Sequence, residues 1–104
     1  MSNAAVERGV TPTHIFETGL DLREATVLFI TYQQNDRTVL EKTLEDAELS
    51  ETDIRVSLTQ EETLRFRENT LVRIQIRAGF SDGRRVKSEI ITTTADELLK
   101  EDVI

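Results

Sequence analysis

Leu71-Val72-Arg73-Ile74-Gln75-Ile76-Arg77-Ala78 decides the fold class. Val72, Ile74, Ile76 and Ala78 fall at every second position, and Arg73, Gln75 and Arg77 fill the gaps. A repeat of two sends alternate side chains to opposite faces of a pleated strand, whereas a helix needs apolar residues three and four apart. The same period recurs outward from this stretch. Ile54-Arg55-Val56-Ser57-Leu58 alternates cleanly, and Thr13-His14-Ile15-Phe16 reads as a first strand. Val86, Ser88 and Ile90 alternate and run on into Ile91-Thr92-Thr93-Thr94, whose β-branched side chains suit a pleated surface. Thr26 to Tyr32 is apolar almost throughout, with Leu28, Ile30 and Tyr32 on one face and Val27, Phe29 and Thr31 on the other. That pattern predicts a central strand covered on both sides.

The breaks between these runs carry turn chemistry. Asp82-Gly83 between two alternating segments is the strongest hairpin signal, because glycine accepts positive φ at little cost. Asn35-Asp36 predicts a second hairpin, and Asn69-Thr70 precedes the long strand. Thr59-Gln60-Glu61-Glu62 matches a capping box, in which hydroxyl and carboxylate satisfy backbone donors at a helix start, so one helical turn is expected near residues 60–65. Asp96 to Lys100 reads as a short helical or extended tail that ends in Val103-Ile104. About seven strands with one helical turn between the fifth and sixth predict an all-β fold, an immunoglobulin-like antiparallel β-sandwich. Residues 1–9 show no periodicity and are expected to be a loose segment, with Met1-Ser2-Asn3-Ala4 resembling the remnant of an expression tag. Residues 10–104 are expected to form a single domain.

Composition excludes several classes of function. The chain has 104 residues, 38% hydrophobic and 32% charged, which suits one packed core. Thirteen Lys and Arg against 20 Asp and Glu give a net charge of -7, so long-range repulsion opposes nonspecific binding to nucleic acid or an anionic membrane. Without cysteine there is no thiolate nucleophile, disulfide or Cys-ligated zinc, and a single histidine, His14, excludes multi-histidine metal centres. No apolar run approaches the length of a membrane-spanning helix, and no segment has the layout of a signal peptide.

Catalytic chemistry finds little footing. His14 has no Ser, Cys or Asp near it in sequence and reads as a half-exposed residue of an edge strand. Glu41, Glu45, Asp46, Glu48, Glu51 and Asp53 are spaced irregularly and interrupted by Lys42, unlike a calcium-binding loop, and read as a solvated face. Glu61 and Glu62 are accounted for by helix capping. Arg73, Arg77, Arg84, Arg85 and Lys87 make a small basic strip that is expected to pair with acids across the strands. No phosphate loop, serine elbow or H-E-x-x-H occurs. The residues predict no enzyme, no cofactor and no metal.

Arg8 to Phe16, Ile30-Thr31-Tyr32-Gln33-Gln34 and Val39-Leu40-Glu41-Lys42 resemble a group of small proteins encoded in prophages and mobile elements of Firmicutes. The resemblance continues through Val56 to Phe66, its most distinctive segment, then Leu71–Ala78, Ser81-Asp82-Gly83 and Leu98-Leu99. In layout those proteins are similar to the immunoglobulin-like N-terminal domain of phage baseplate upper proteins. The resemblance implies a structural module associated with a phage tail or baseplate, located in the host cytoplasm or on the virion. It would assemble with copies of itself, as a homo-oligomer, or with tail proteins. It carries over no catalytic residue.

Three functions compete at this stage: the structural or assembly module, a small acidic inhibitor that mimics nucleic acid, and a carbohydrate-binding module. For the first, strand edge and apolar tail are the expected contacts, namely Thr13 and Ile15 with Leu98, Leu99, Val103 and Ile104. The expected partners are proteins, not nucleic acid or membrane.

Overall fold

The computed structural model describes residues 3–104; the remaining two residues of the expected tag remnant, Met1 and Ser2, lie outside the described residues. In chain order the elements are β1 (Thr13–Phe16), β2 (Ala25–Gln34), β3 (Arg37–Thr43), a 3-10 turn at Leu44–Asp46, β4 (Ala47–Leu49) and β5 (Ile54–Ser57). Helix α1 (Gln60–Leu64) follows, then β6 (Leu71–Phe80), β7 (Arg85–Lys87) and β8 (Ile91–Thr94).

The strands build two antiparallel sheets, one ordered β1-β5-β4 and the other β3-β2-β6-β7, with β8 also on β6. This is the all-β sandwich that the period of two predicts, and the strand order matches the B-E-D and C′-C-F-G sheets of an immunoglobulin-type fold. Alternation supplies the core. Val72, Ile74, Ile76, Ala78 and Phe80 of β6 point inward beside Leu28, Ile30 and Tyr32 of β2. Phe16, Ile54, Val56 and Leu58 close over them from the smaller sheet. Four rings interlock there: Tyr32 lies edge-on to Phe66 at 5.7 Å and to Phe16 at 6.5 Å, and His14 stands 5.6 Å from Tyr32. Edge-to-face packing of this kind adds to plain area burial.

The turns follow the sequence. Asn35 and Asp36 both take positive φ, 51° and 63°, so Gln34 meets Arg37 in a two-residue hairpin whose twist suits the flanking strands. Gly83, at φ 92°, closes a three-residue loop in which its N–H donates to the Phe80 carbonyl. Thr59 caps α1 as expected: its hydroxyl accepts from the Glu62 N–H at 3.1 Å, and the Glu62 carboxylate accepts from the Thr59 N–H at 2.8 Å. The same carboxylate meets Lys42 Nζ at 2.8 Å, which ties the helix to β3. Those hydrogen bonds and the Lys42 charge hold Glu62 below the ordinary glutamate range against the opposing effect of burial.

Two expectations need correction. Residues 3–9 are not loose: Ala4, Val6 and Arg8 are buried, because this segment crosses from one sheet to the other. Asn3 exchanges two backbone hydrogen bonds with Ile15, and Val6 bridges Ala95 in parallel. Arg8 then gathers the C-terminal region, its N–H donating to Asp96 at 2.8 Å and its guanidinium lying 2.6 Å from Glu101. The described residues form eight strands, in keeping with the expected number of about seven, with α1 between the fifth and sixth as expected and the final run divided into β7 and β8. The tail from Asp96 onward is neither helix nor strand.

Ser88 is the cause of that division. Its N–H donates to the Ile76 carbonyl at 2.8 Å, and its side-chain oxygen, in place of a backbone carbonyl, accepts from the buried Ile76 N–H at 3.0 Å. Gln75 donates to the Ser88 carbonyl at 3.0 Å and completes the splice between β7 and β8. Ser88→Ala leaves the Ile76 N–H without an acceptor, which costs about 1–3 kcal/mol. Urea denaturation is expected to show that loss, with Ser88→Thr largely preserving stability; equal stability of Ser88→Ala and the parent would contradict the splice.

Candidate interaction surface

The outward face of the larger sheet is built by the residues that alternation excludes from the core. Register places Phe29 opposite Arg77, Thr31 opposite Gln75, Gln33 opposite Arg73 and Val27 opposite Gly79. On the far side of β6, Lys87 stands opposite Arg77 and Arg85 opposite Gly79. Gly79 makes room for this arrangement, since a Cβ there would come within 2.8 Å of the Val27 side chain. Phe29, Thr31, Gln33, Glu41, Arg73, Gln75, Arg77 and Ile90 enclose a shallow groove of about 460 Å3. A smaller hollow of about 170 Å3 continues it past Val27, Phe29, Arg77 and Arg85.

Two corrections follow from this face. β2 lies centrally in its sheet but is not covered on both sides, since Val27 and Phe29 are 39% and 40% exposed. The basic strip does not pair with acids across the strands either. Register brings Arg77 to Lys87 and Phe29, and Arg73 to Gln33 and Thr92. Among the described residues, no carboxylate comes within ion-pair distance of Arg73, Arg77, Arg85 or Lys87. Arg84 differs, being held by Asp82 at 2.9 Å while its guanidinium sits 4.4 Å from the Phe80 ring centre. The surface therefore offers an apolar ridge flanked by cations without carboxylate partners, Arg85 donating to the Phe80 and Arg84 carbonyls, on a chain of net charge -7.

The six residues picked from the sequence do not gather at one place. Thr13 and Ile15 sit on the outward face of β1, Thr13 in contact with the Ser57 hydroxyl at 3.1 Å. The β1 edge is occupied at Ile15 by Asn3, so it is not open there to an added strand. Leu98 is half-buried against Gly9, where it fills the space a side chain would need. Leu99 and Ile104 are 93% and 98% exposed, and Val103 is exposed as well. The Ile104 main chain is pinned at both polar atoms by the Gln60 amide, at 2.6 and 3.0 Å. What sequence reading missed is Phe29 with Val27. The signal was present in the doubly apolar run from Thr26 to Tyr32, for which the chain supplies only one covering layer.

His14 also departs from expectation. It is 1% exposed, because the N-terminal segment closes over the inward face of β1. Its Nε2 is 3.1 Å from the Ala5 carbonyl, which can only accept, so Nε2 carries the proton. Nδ1 then accepts from the Tyr32 hydroxyl at 2.6 Å. Burial lowers the His14 pKa, outweighing the Ala5 carbonyl, while burial and the nearby Glu62 charge push the Tyr32 phenol far above its usual range. Both rings are thus held neutral as a structural pair. Among the described residues no group of three His, Cys, Asp or Glu side chains is placed to hold a metal ion. No described helix is long and apolar enough to cross a membrane.

Scanned against protein-family models, the chain matches none, and a search of curated proteins finds no match.

The His14 geometry predicts a pH response. A histidine whose folded pKa lies below its unfolded value binds its proton more readily when unfolded, so its contribution is intact above about pH 6.5 and is lost as pH falls towards the lowered folded value. Chemical denaturation is expected to show falling stability from pH 7.5 to 5.5, and His14→Gln is expected to flatten that slope. The carboxylates with lowered pKa values, Asp21, Asp46, Glu62 and Asp82, act in a separate and more acidic window.

Proposed function

We propose that this chain is a non-enzymatic assembly module of a prophage, associated with a tail or baseplate, that works through protein–protein contact at the outward face of its larger sheet. The observation that carries the reading is the open ridge of Val27 and Phe29 beside Arg73 and Arg77. Exposed aromatic and arginine side chains in a shallow hollow are the residue types that dominate protein interfaces. The sequence resemblance to prophage proteins of Firmicutes supplies the setting, with other tail proteins or further copies of the chain as partners. The exposed apolar ends of Leu99, Val103 and Ile104 remain secondary contacts in this reading.

The competing functions have less support. A nucleic-acid mimic needs an uninterrupted acidic surface, and the cationic face breaks it. A carbohydrate-binding module needs a platform of exposed rings, whereas Phe16, Tyr32, Phe66 and Phe80 are buried and Phe29 stands alone.

Co-expression with the tail proteins of the same prophage tests the proposal. A tail protein is expected to co-purify with the chain, and Phe29→Asp or Arg77→Glu is expected to weaken that retention about tenfold or more while leaving circular dichroism unchanged. Retention untouched by either substitution, or no tail protein retained at all, would sink it.

A further inference from the structure

We infer that the partner on this face includes a second copy of the chain, whose acidic segment 44–54 seats on the ridge and cations of the larger sheet. The inference rests on the assembly reading above and names one occupant of the same surface. Charge distribution is the argument. Arg73 and Arg77 line the groove and Arg85 and Lys87 extend it, so four of the chain's 13 basic residues meet one groove acid, Glu41, of the 20. The rest of the molecule is correspondingly more acidic than the net -7 indicates.

That acidity has a definite focus. Residues 44–54 contain Glu45, Asp46, Glu48, Glu51 and Asp53 and no Lys or Arg. Glu45, Asp46, Glu48 and Glu51 are exposed, and Leu44, Ala47 and Leu49 are half-buried among them. The segment thus pairs carboxylates with apolar side chains, as the groove pairs cations with Val27 and Phe29. Not every acid is free to do so: Asp46 is engaged by Thr43 at 2.8 Å, and Asp53 lies 3.5 Å from Arg55. Glu48 stands opposite Arg55 and Glu51 feels the Arg23 charge, but among the described residues neither forms an ion pair, so Glu45, Glu48 and Glu51 are the donors of charge in the proposed contact.

One molecule does not satisfy itself: the turn at Leu44–Asp46 abuts β2 and β3, with Thr43 opposite Phe29, yet among the described residues no carboxylate of the segment reaches ion-pair distance of Arg73, Arg77, Arg85 or Lys87. From Ala47 the segment leads away into β4, an edge of the smaller sheet, whereas the groove lies on the outward side of the larger sheet. The contact therefore joins two different surfaces of two copies. Such a heterologous contact repeats, closing into a ring or extending as a filament according to its rotation, which suits a tail-associated module.

Analytical ultracentrifugation of the full chain over a wide concentration range tests the inference. At low salt the mass is expected to rise with concentration above the 11.9 kDa monomer, and to return to it near ~1 M salt, where the Debye length is ~3 Å. Arg73→Glu with Arg77→Glu, and separately Glu45→Lys with Glu48→Lys, are each expected to weaken association at least about tenfold, because each sets like charges face to face. Mixing the two variants is expected to restore it, since each then offers the complement of the other. A chain that stays monomeric at every concentration overturns the inference, as does association indifferent to the 45/48 reversal, which would mean a symmetric contact. Retention of a single-stranded oligonucleotide without any rise in protein mass also overturns it, in favour of a nucleic-acid face. Loss of tail-protein capture by the Arg77→Glu variant, with no self-association in the parent, removes the second copy and leaves the assembly reading standing.

Discussion

The antiparallel register between β2 and β6, with Ile30 opposite Ile76 and Tyr32 opposite Ile74, decides which side of the larger sheet is core and which is surface. Side-chain period in a strand is two, so a slip of one residue would expose Ile74 and Ile76 and bury Arg73 and Arg77. Burying unpaired guanidinium groups is far more costly than exposing a Phe29 or a Val27, and the register is correspondingly unambiguous. Everything outside the pair inherits that choice. β3 is aligned by the Asn35-Asp36 turn, β7 by the Gly83 loop, and Tyr32 is aimed at Phe16 of the opposite sheet and at Phe66 just after α1.

The two layers are joined by polar groups as well as by apolar packing. His14 and Tyr32 form a buried hydrogen bond between the smaller and larger sheets, and the second nitrogen of the ring holds the N-terminal segment through Ala5. Lys42 and Glu62 join β3 to the helix start, and Arg8 joins the first residues to Asp96 and Glu101. Apolar burial supplies most of the driving force but has no direction. These few polar contacts specify how the sheets, helix and termini sit on that core.

Much of the fold was legible in the sequence because it depends on local rules. Alternation at Leu71–Ala78 and Ile54–Leu58, turn residues at Asn35-Asp36 and Asp82-Gly83, and the cap at Thr59 each act over a few residues. The failures share a different origin. Whether residues 3–9 are ordered depends on Ile15, Ala95 and Asp96, far along the chain. His14 is buried because Ala5 and Tyr32 come from two other segments. The outward face was hidden for the same reason: a strand apolar on both sides gives no sign of how many layers will cover it. Arg73 and Arg77 stand out in the sequence as a basic strip, but their neighbours across β2 and β7 follow from register, which local sequence does not carry.

Ser88 has a consequence for shape. Placing an additional residue against a long strand while its hydroxyl fills the vacated ladder position bends and twists a sheet without breaking it. The groove between Phe29, Gln75, Arg77 and Ile90 lies beside that interruption, with Ile90 in the short spacer between β7 and β8. The extra residue thereby sets Ile90 at the rim of the groove instead of in the ladder, so an inner hydroxyl is tied to the lining of the surface that faces solvent.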